Sequence, residues 1–117
     1  MTSMAHLSIR IDLTPSGRLG PGKILLMEKI AEHGSISAAG RAMGMSYRRA
    51  WELVSELNAS FQEPLVVAQT GGRSGGGAAL TPIGQAVVSR YREIEKVASK
   101  ASESLLRAVQ ASAQKKA

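Results

Sequence analysis

Residues 34 to 57 read G-S-I-S-A-A-G-R-A-M-G-M-S-Y-R-R-A-W-E-L-V-S-E-L, and they decide the fold. Two helical patterns meet at the tight turn Gly44-Met45. Ser35 is placed to cap a helix over 36–43, whose apolar side is Ile36, Ala39 and Met43. Ala38, Ala39 and Gly40 are small and permit a close helix crossing. Ser46 is placed to cap the next helix, 46–60. At 100° per residue, Ala50, Leu53, Val54 and Leu57 fall on one face and Phe61 continues it. Tyr47, Arg48 and Arg49 occupy the first turn, pointing away from that face. This is the layout of a helix-turn-helix with a basic recognition helix.

Downstream, Glu63-Pro64 predicts a helix stop, and Leu65–Gln69 a short strand. Gly71 to Gly77 holds five glycines in seven residues, with Arg73 and Ser74 between them. Ala78–Leu80 returns as a second strand, so 70–78 reads as a wing. The loop lacks G-K-[ST] and is not a nucleotide-binding phosphate loop. Thr81-Pro82 is a strong helix start. No breaker follows, so one helix over 83–109, about 40 Å long, is expected. Val87, Tyr91, Ile94, Ala98, Ala101, Leu105 and Ala108 recur with a period of 3.5. That seam predicts a homodimer, because so long a helix overreaches a small domain; Val87 to Ile94 can pack onto the chain's own winged domain while the distal half pairs.

Upstream, Lys23–His33 predicts a first helix with Ile24, Met27, Ile30 and Ala31 at helical spacing, widened by Leu25 and Leu26. Gly34 suits its C-terminal end. Leu7 to Leu13 alternates with period two and predicts a half-buried strand. The organisation expected is a strand and linker over 1–22, a winged helix-turn-helix over 23–81, a dimerisation helix over 82–112 and a frayed tail over 113–117. The fold class is mainly α with a small β component.

Composition bounds the partners. The 117 residues carry a net charge of +6, which favours a polyanion. There is no cysteine, excluding disulfides and thiolate metal sites. No apolar run spans a membrane and no secretory leader is visible, so a cytoplasmic location is expected. His6 and His33 are far apart in sequence, and no acid–base or metal-ligating cluster is visible, so neither catalysis nor a cofactor is expected.

A recognition helix fits the major groove of double-stranded DNA, where its N-terminal side chains reach base edges. The DNA-contact candidates there are Ser46, Tyr47, Arg48, Arg49 and Trp51, with Trp51 equally suited to packing beneath the wing. Glu52 can accept from a cytosine amino group or pair with Arg48. Ser35, Ser37 and Arg41 are candidates for phosphate at the start of the second helix. Arg73, followed by Ser74, is the candidate for a narrow minor groove. The competing reading is a protein-interaction or assembly module on the same fold, which a neutral recognition face would favour.

The combination G-S-I-S-A-A at 34–39, G-M-S-Y-R-R-A-W at 44–51 and T-G-G-R-S-G-G-G-A-A-L-T at 70–81 resembles the DNA-binding domain of the ModE family of molybdate-responsive regulators. The broader framework is similar to LysR-type regulators. The resemblance implies a dimeric, sequence-specific DNA binder with Tyr47, Arg48 and Trp51 in the recognition helix and Arg73 in the wing. Those regulators continue into effector-binding domains, whereas this sequence stops at Ala117. The expectation is a stand-alone DNA-binding unit, with any effector input supplied by a separate protein.

Overall fold

The computed structural model describes residues 5–70 and 76–113. In chain order the elements are β1 (Ile11–Asp12), β2 (Arg18–Leu19), α1 (Pro21–His33), α2 (Ile36–Ala42), α3 (Tyr47–Ala59), β3 (Val66–Gln69), β4 (Gly77–Leu80), α4 (Pro82–Ala101) and α5 (Glu103–Ala113). Two antiparallel hairpins, β1–β2 and β3–β4, flank a helical centre. The fold is a winged helix-turn-helix followed by a C-terminal helical segment.

Local signals set the helix boundaries. Pro21 opens α1, and Gly34 closes it at φ 73°, a left-handed conformation that favours glycine. Ser35, Ser46 and Thr81 cap α2, α3 and α4, each accepting from the backbone N–H three residues on at 3.0 Å. Gly44 makes the α2–α3 turn at φ 71°. A Cβ on Gly40 would lie 2.9 Å from the Ala50 Cβ, so the tight α2–α3 crossing requires the missing side chain.

The core lies where α1, α2 and α3 meet under the wing. Ile24, Leu26, Met27 and Ile30 of α1 pack with Ile36, Ala39, Ala50, Val54 and Leu57. Leu65, Val66 and Ala78 close it from the wing, and Tyr91 from α4. Leu25, expected to widen the α1 stripe, and Ala31, expected within it, are exposed. An aliphatic run cannot be buried all round a helix that rests on one side of a small domain.

Three expectations change in extent. Residues 7–13 do alternate between half-buried and exposed, but only Ile11–Asp12 forms ladder bonds, because the partner strand is only Arg18–Leu19. Helix α3 ends at Ala59, before Glu63-Pro64, with Ser60 as its C-cap: the Ser60 N–H and hydroxyl both donate to the Glu56 carbonyl, at 3.1 and 2.7 Å. The single helix over 83–109 is interrupted at Ser102, whose N–H and hydroxyl likewise both donate to the Ala98 carbonyl, at 3.0 and 2.7 Å. The C-terminal segment still projects. The long axis is 55 Å and the radius of gyration 17.1 Å, against about 13 Å for a compact domain near this size.

The segment is anchored before it projects. The Tyr91 hydroxyl donates to the Ile9 carbonyl at 2.6 Å, tying α4 to the N-terminal segment. Burial pushes the Tyr91 phenol above its usual range, and the nearby Glu95 carboxylate adds to the effect. Arg92 grips Glu28 of α1 with two bonds, at 2.6 and 3.0 Å, and Glu95 with a third at 2.7 Å. The Arg92 hydrogen bond holds the Glu28 carboxyl below its ordinary value. The same pairings raise the Arg92 guanidinium further, Glu28 contributing most.

Candidate nucleic-acid interface

The first turn of α3 presents the groups expected of a recognition helix. Tyr47 is 57% exposed and Trp51 42%, their rings edge to face with centroids 6.3 Å apart. The Arg48 side chain is 90% exposed and lies 3.4 Å from Glu52, while Arg49 reaches the same carboxylate at 3.3 Å. Glu52 is thus shared by two guanidinium groups. Exposed pairs of this kind contribute about 0–1 kcal/mol, so both arginines can exchange Glu52 for an external anion. Ser46 is committed to its capping bond with the Arg49 amide.

Trp51 sits beside the wing and is also partly open to solvent. Its indole lines a cavity of about 230 Å³ with Ile36, Ala68 and Ala78, while its remaining surface faces solvent beside Tyr47. The wing stem is fixed here by the α1–α2 turn: the Ala78 N–H donates to the Gly34 carbonyl at 2.9 Å. Gly77 comes so close that a Cβ would lie 2.9 Å from the Gln69 carbonyl oxygen. Ser35, Ser37, Tyr47 and Trp51 are therefore brought to one surface. Arg41 lies beside them, donating to the Ser37 hydroxyl at 3.3 Å. Arg73 and Ser74 lie outside the described residues.

Sequence reasoning missed Asn58, which positions the wing from below. Its Oδ1 accepts from the amides of Leu65 and Val66 at 2.9 and 3.1 Å, and its Nδ2 donates to the Val66 carbonyl at 3.0 Å. Three bonds from one side chain thus lock β3 against α3. An asparagine near a helix end is an available signal, but the partner amides lie seven and eight residues away, across an irregular loop.

The projecting helices redistribute the expected seam. Tyr91 is buried in its own chain, Val87 is half-buried against the core and Ala98 is half-buried. Ile94, Val97, Leu105 and Val109 are the large apolar side chains that α4 and α5 expose beyond that anchor, and Ala101 is exposed among them. Val97 and Val109 were not anticipated. Among the described residues no group of three or more His, Asp or Glu side chains converges as metal ligands do, and no helix is long and apolar enough to cross a membrane.

The family model for bacterial regulatory helix-turn-helix proteins of the lysR family matches residues 23–85, more than half of the chain. The chain belongs to this family. The match runs from α1 through the wing into the first turn of α4. Among curated relatives of this LysR-family chain, the molybdenum-pterin-binding protein MopA of Rhodobacter capsulatus is 45% identical over 84 residues, covering 72% of this chain and 32% of MopA. The molybdenum transport protein ModE of Azotobacter vinelandii is 38% identical, covering 79% of this chain and 33% of ModE. The DNA-binding transcriptional dual regulator ModE of Escherichia coli is 40% identical, covering 69% and 31%. The chain thus spans about a third of the length of these relatives. A solved chain described as the CbnR_DBD–DNA complex superposes with a TM-score of 0.55 over 80% of this chain and 97% of that one; at 22% identity the likeness is one of fold.

Proposed function

We propose that this LysR-family chain is the DNA-binding part of a transcriptional regulator and binds sequence-specific sites in double-stranded DNA as a homodimer. One observation carries the reading: the α3 first turn exposes Tyr47, Arg48 and Arg49, and the α2 start brings Ser35 and Ser37 beside Tyr47, with Arg41 bonded to Ser37, next to a wing stem fastened through Gly34. Arg48 and Arg49 supply cations that weak pairs with Glu52 do not hold back. The E. coli relative, whose name speaks of DNA-binding transcriptional regulation, supports the same class of activity.

In mechanism, α3 enters the major groove and its first turn reads base edges. The side chains of Arg48 and Arg49 leave Glu52 for guanine O6 and N7, with a bidentate pair contributing about 1–3 kcal/mol of discrimination. The α2 start meets a phosphate strand, and the wing approaches the minor groove with Arg73 and Ser74. Ile94, Val97, Ala101 and Leu105 pair with their counterparts in a second copy, which sets two recognition helices about 34 Å apart.

Titration of duplex DNA at several salt concentrations tests the reading. Affinity should fall steeply with salt, because each phosphate contact releases counterions. Arg48→Ala should relax sequence discrimination, whereas loss of the same size on every sequence would reassign Arg48 to the backbone. Absence of binding at low salt would overturn the DNA reading.

A further inference from the structure

The β1–β2 hairpin precedes the span that the family model matches, and its tip meets the end of α3 on the flank opposite the wing. Asn58 and Trp51 look toward β3–β4. Arg49, Leu53, Glu56 and Ser60 follow one another along the other flank, at the four- and three-residue steps of one helix side. They face the hairpin across an open cleft of about 580 Å³. The recognition helix is thus bracketed by two hairpins.

The hairpin is held rigidly. The Leu13 N–H donates to the Gly17 carbonyl at 2.8 Å, and Leu19 is buried in the core. Gly17 adopts φ 104°, and a Cβ there would overlap the Ser60 hydroxyl, so the tip sits directly on the end of α3. Lys23 fixes the base of the cleft, donating to the Arg18 carbonyl at 3.2 Å and pairing with Glu56 at 3.1 Å. Of the three cations on the cleft walls, Lys23 pairs with Glu56 and Arg49 with Glu52. Arg18 is exposed and has no carboxylate within 4.0 Å among the described residues. Its backbone is nonetheless fixed on both sides, by pairing with Asp12 and by Lys23.

A helix lying in a major groove has a phosphate strand on each flank. We propose that the β1–β2 hairpin is a second DNA-contacting arm: Arg18 grips the phosphate strand on the flank of α3 opposite the wing. The inference rests on the DNA-binding reading above and adds a contact outside the matched family span. The Lys23–Glu56 pair positions the arm and makes no DNA contact itself. Because the contact is to backbone, it strengthens binding without choosing sequence.

The test compares the full chain with Arg18→Ala and Arg18→Lys on several duplexes, measuring affinity against salt. Losing one phosphate contact from each protomer of the homodimer should reduce the slope of log K against log salt by about 1.8. Arg18→Ala should show that reduction equally on every duplex, and Arg18→Lys should retain most of the wild-type slope. Phosphate-ethylation interference should lose one position at the edge of each half-site of the wild-type pattern. An Arg18→Ala protein with wild-type slope and affinity overturns the second arm while leaving DNA binding in place. Loss confined to particular sequences overturns the backbone assignment. A wild-type chain that binds no duplex overturns both this inference and the function on which it rests.

Discussion

Removing the Asn58 amide should loosen the wing and measurably destabilise the fold. Asn58→Ala deletes three hydrogen bonds of 2.9–3.1 Å. The partners are backbone groups of Leu65 and Val66, whose residues are 0% and 3% exposed. Each bond contributes about 0.5–1.5 kcal/mol net, and a buried amide left without a partner costs about 1–3 kcal/mol. The Asn58 site is itself only half-buried, so water can re-satisfy part of what is lost. The expected cost is about 2–3 kcal/mol, a large share of the roughly 5–15 kcal/mol of a typical domain. Urea unfolding at fixed protein concentration measures it. With a slope of about 1–3 kcal/mol/M, the midpoint should fall by about 1 M or more. Asn58→Asp keeps the acceptor but replaces the donor with an oxygen facing the Val66 carbonyl, so it should recover only part of the loss. An Asn58→Ala midpoint within error of wild type would show that these bonds do not hold β3 to α3.

Other expected outcomes concern the two ends of α4 and its far extension. A Cβ at Gly84 would overlap the Leu65 carbonyl oxygen, which already accepts from the Thr81 N–H at 2.9 Å; Gly84→Ala should therefore lower the urea midpoint, because overpacking costs about 1–3 kcal/mol against a helix-propensity gain of about 1 kcal/mol. Glu28 has its folded-state value lowered from 4.5 by Arg92, so its contribution is present above pH 4.5 and is lost as pH falls through the lowered value. Glu28→Gln should accordingly be less stable at neutral pH and lose less stability on acidification below 4.5, by a modest amount because the side chains of Arg92 and Glu28 are 41% and 35% exposed; parallel acid-unfolding curves would refute it. Leu105 is 69% exposed, so Leu105→Glu should leave the winged domain folded while shifting sedimentation toward monomer, because a dimer contact would have to desolvate the carboxylate. Unchanged association would remove Leu105 from the interface.

Much of the winged domain was legible because its signals are local. Ser35, Ser46 and Thr81 cap helices from a fixed spacing, and Gly34 and Gly44 sit where a left-handed backbone is needed. The α3 face of Ala50, Val54 and Leu57 follows from periodicity alone. What was missed depends on long-range pairing. The β1–β2 hairpin rests on a two-residue ladder too short to leave a pattern. The Glu28–Arg92 clamp joins residues 64 apart in sequence, each of which reads as an ordinary solvated charge. Tyr91 fitted a heptad seam by spacing, but spacing could not show that the Ile9 carbonyl already meets its hydroxyl. The break at Ser102 has no proline or glycine as a marker. In the candidate interface, the residue types of α3 and the Arg48–Glu52 pairing were readable, whereas the second pairing of Glu52 with Arg49 and the docking of the wing stem on Gly34 came only from the three-dimensional arrangement.

Selection of bound sequences from a random pool of duplex DNA, using the full chain, tests the central claim most directly. The account predicts enrichment of an inverted repeat whose half-site centres lie about one helical turn apart, the spacing set by two recognition helices in one homodimer. A pool that shows no enrichment after repeated rounds at low salt would contradict it.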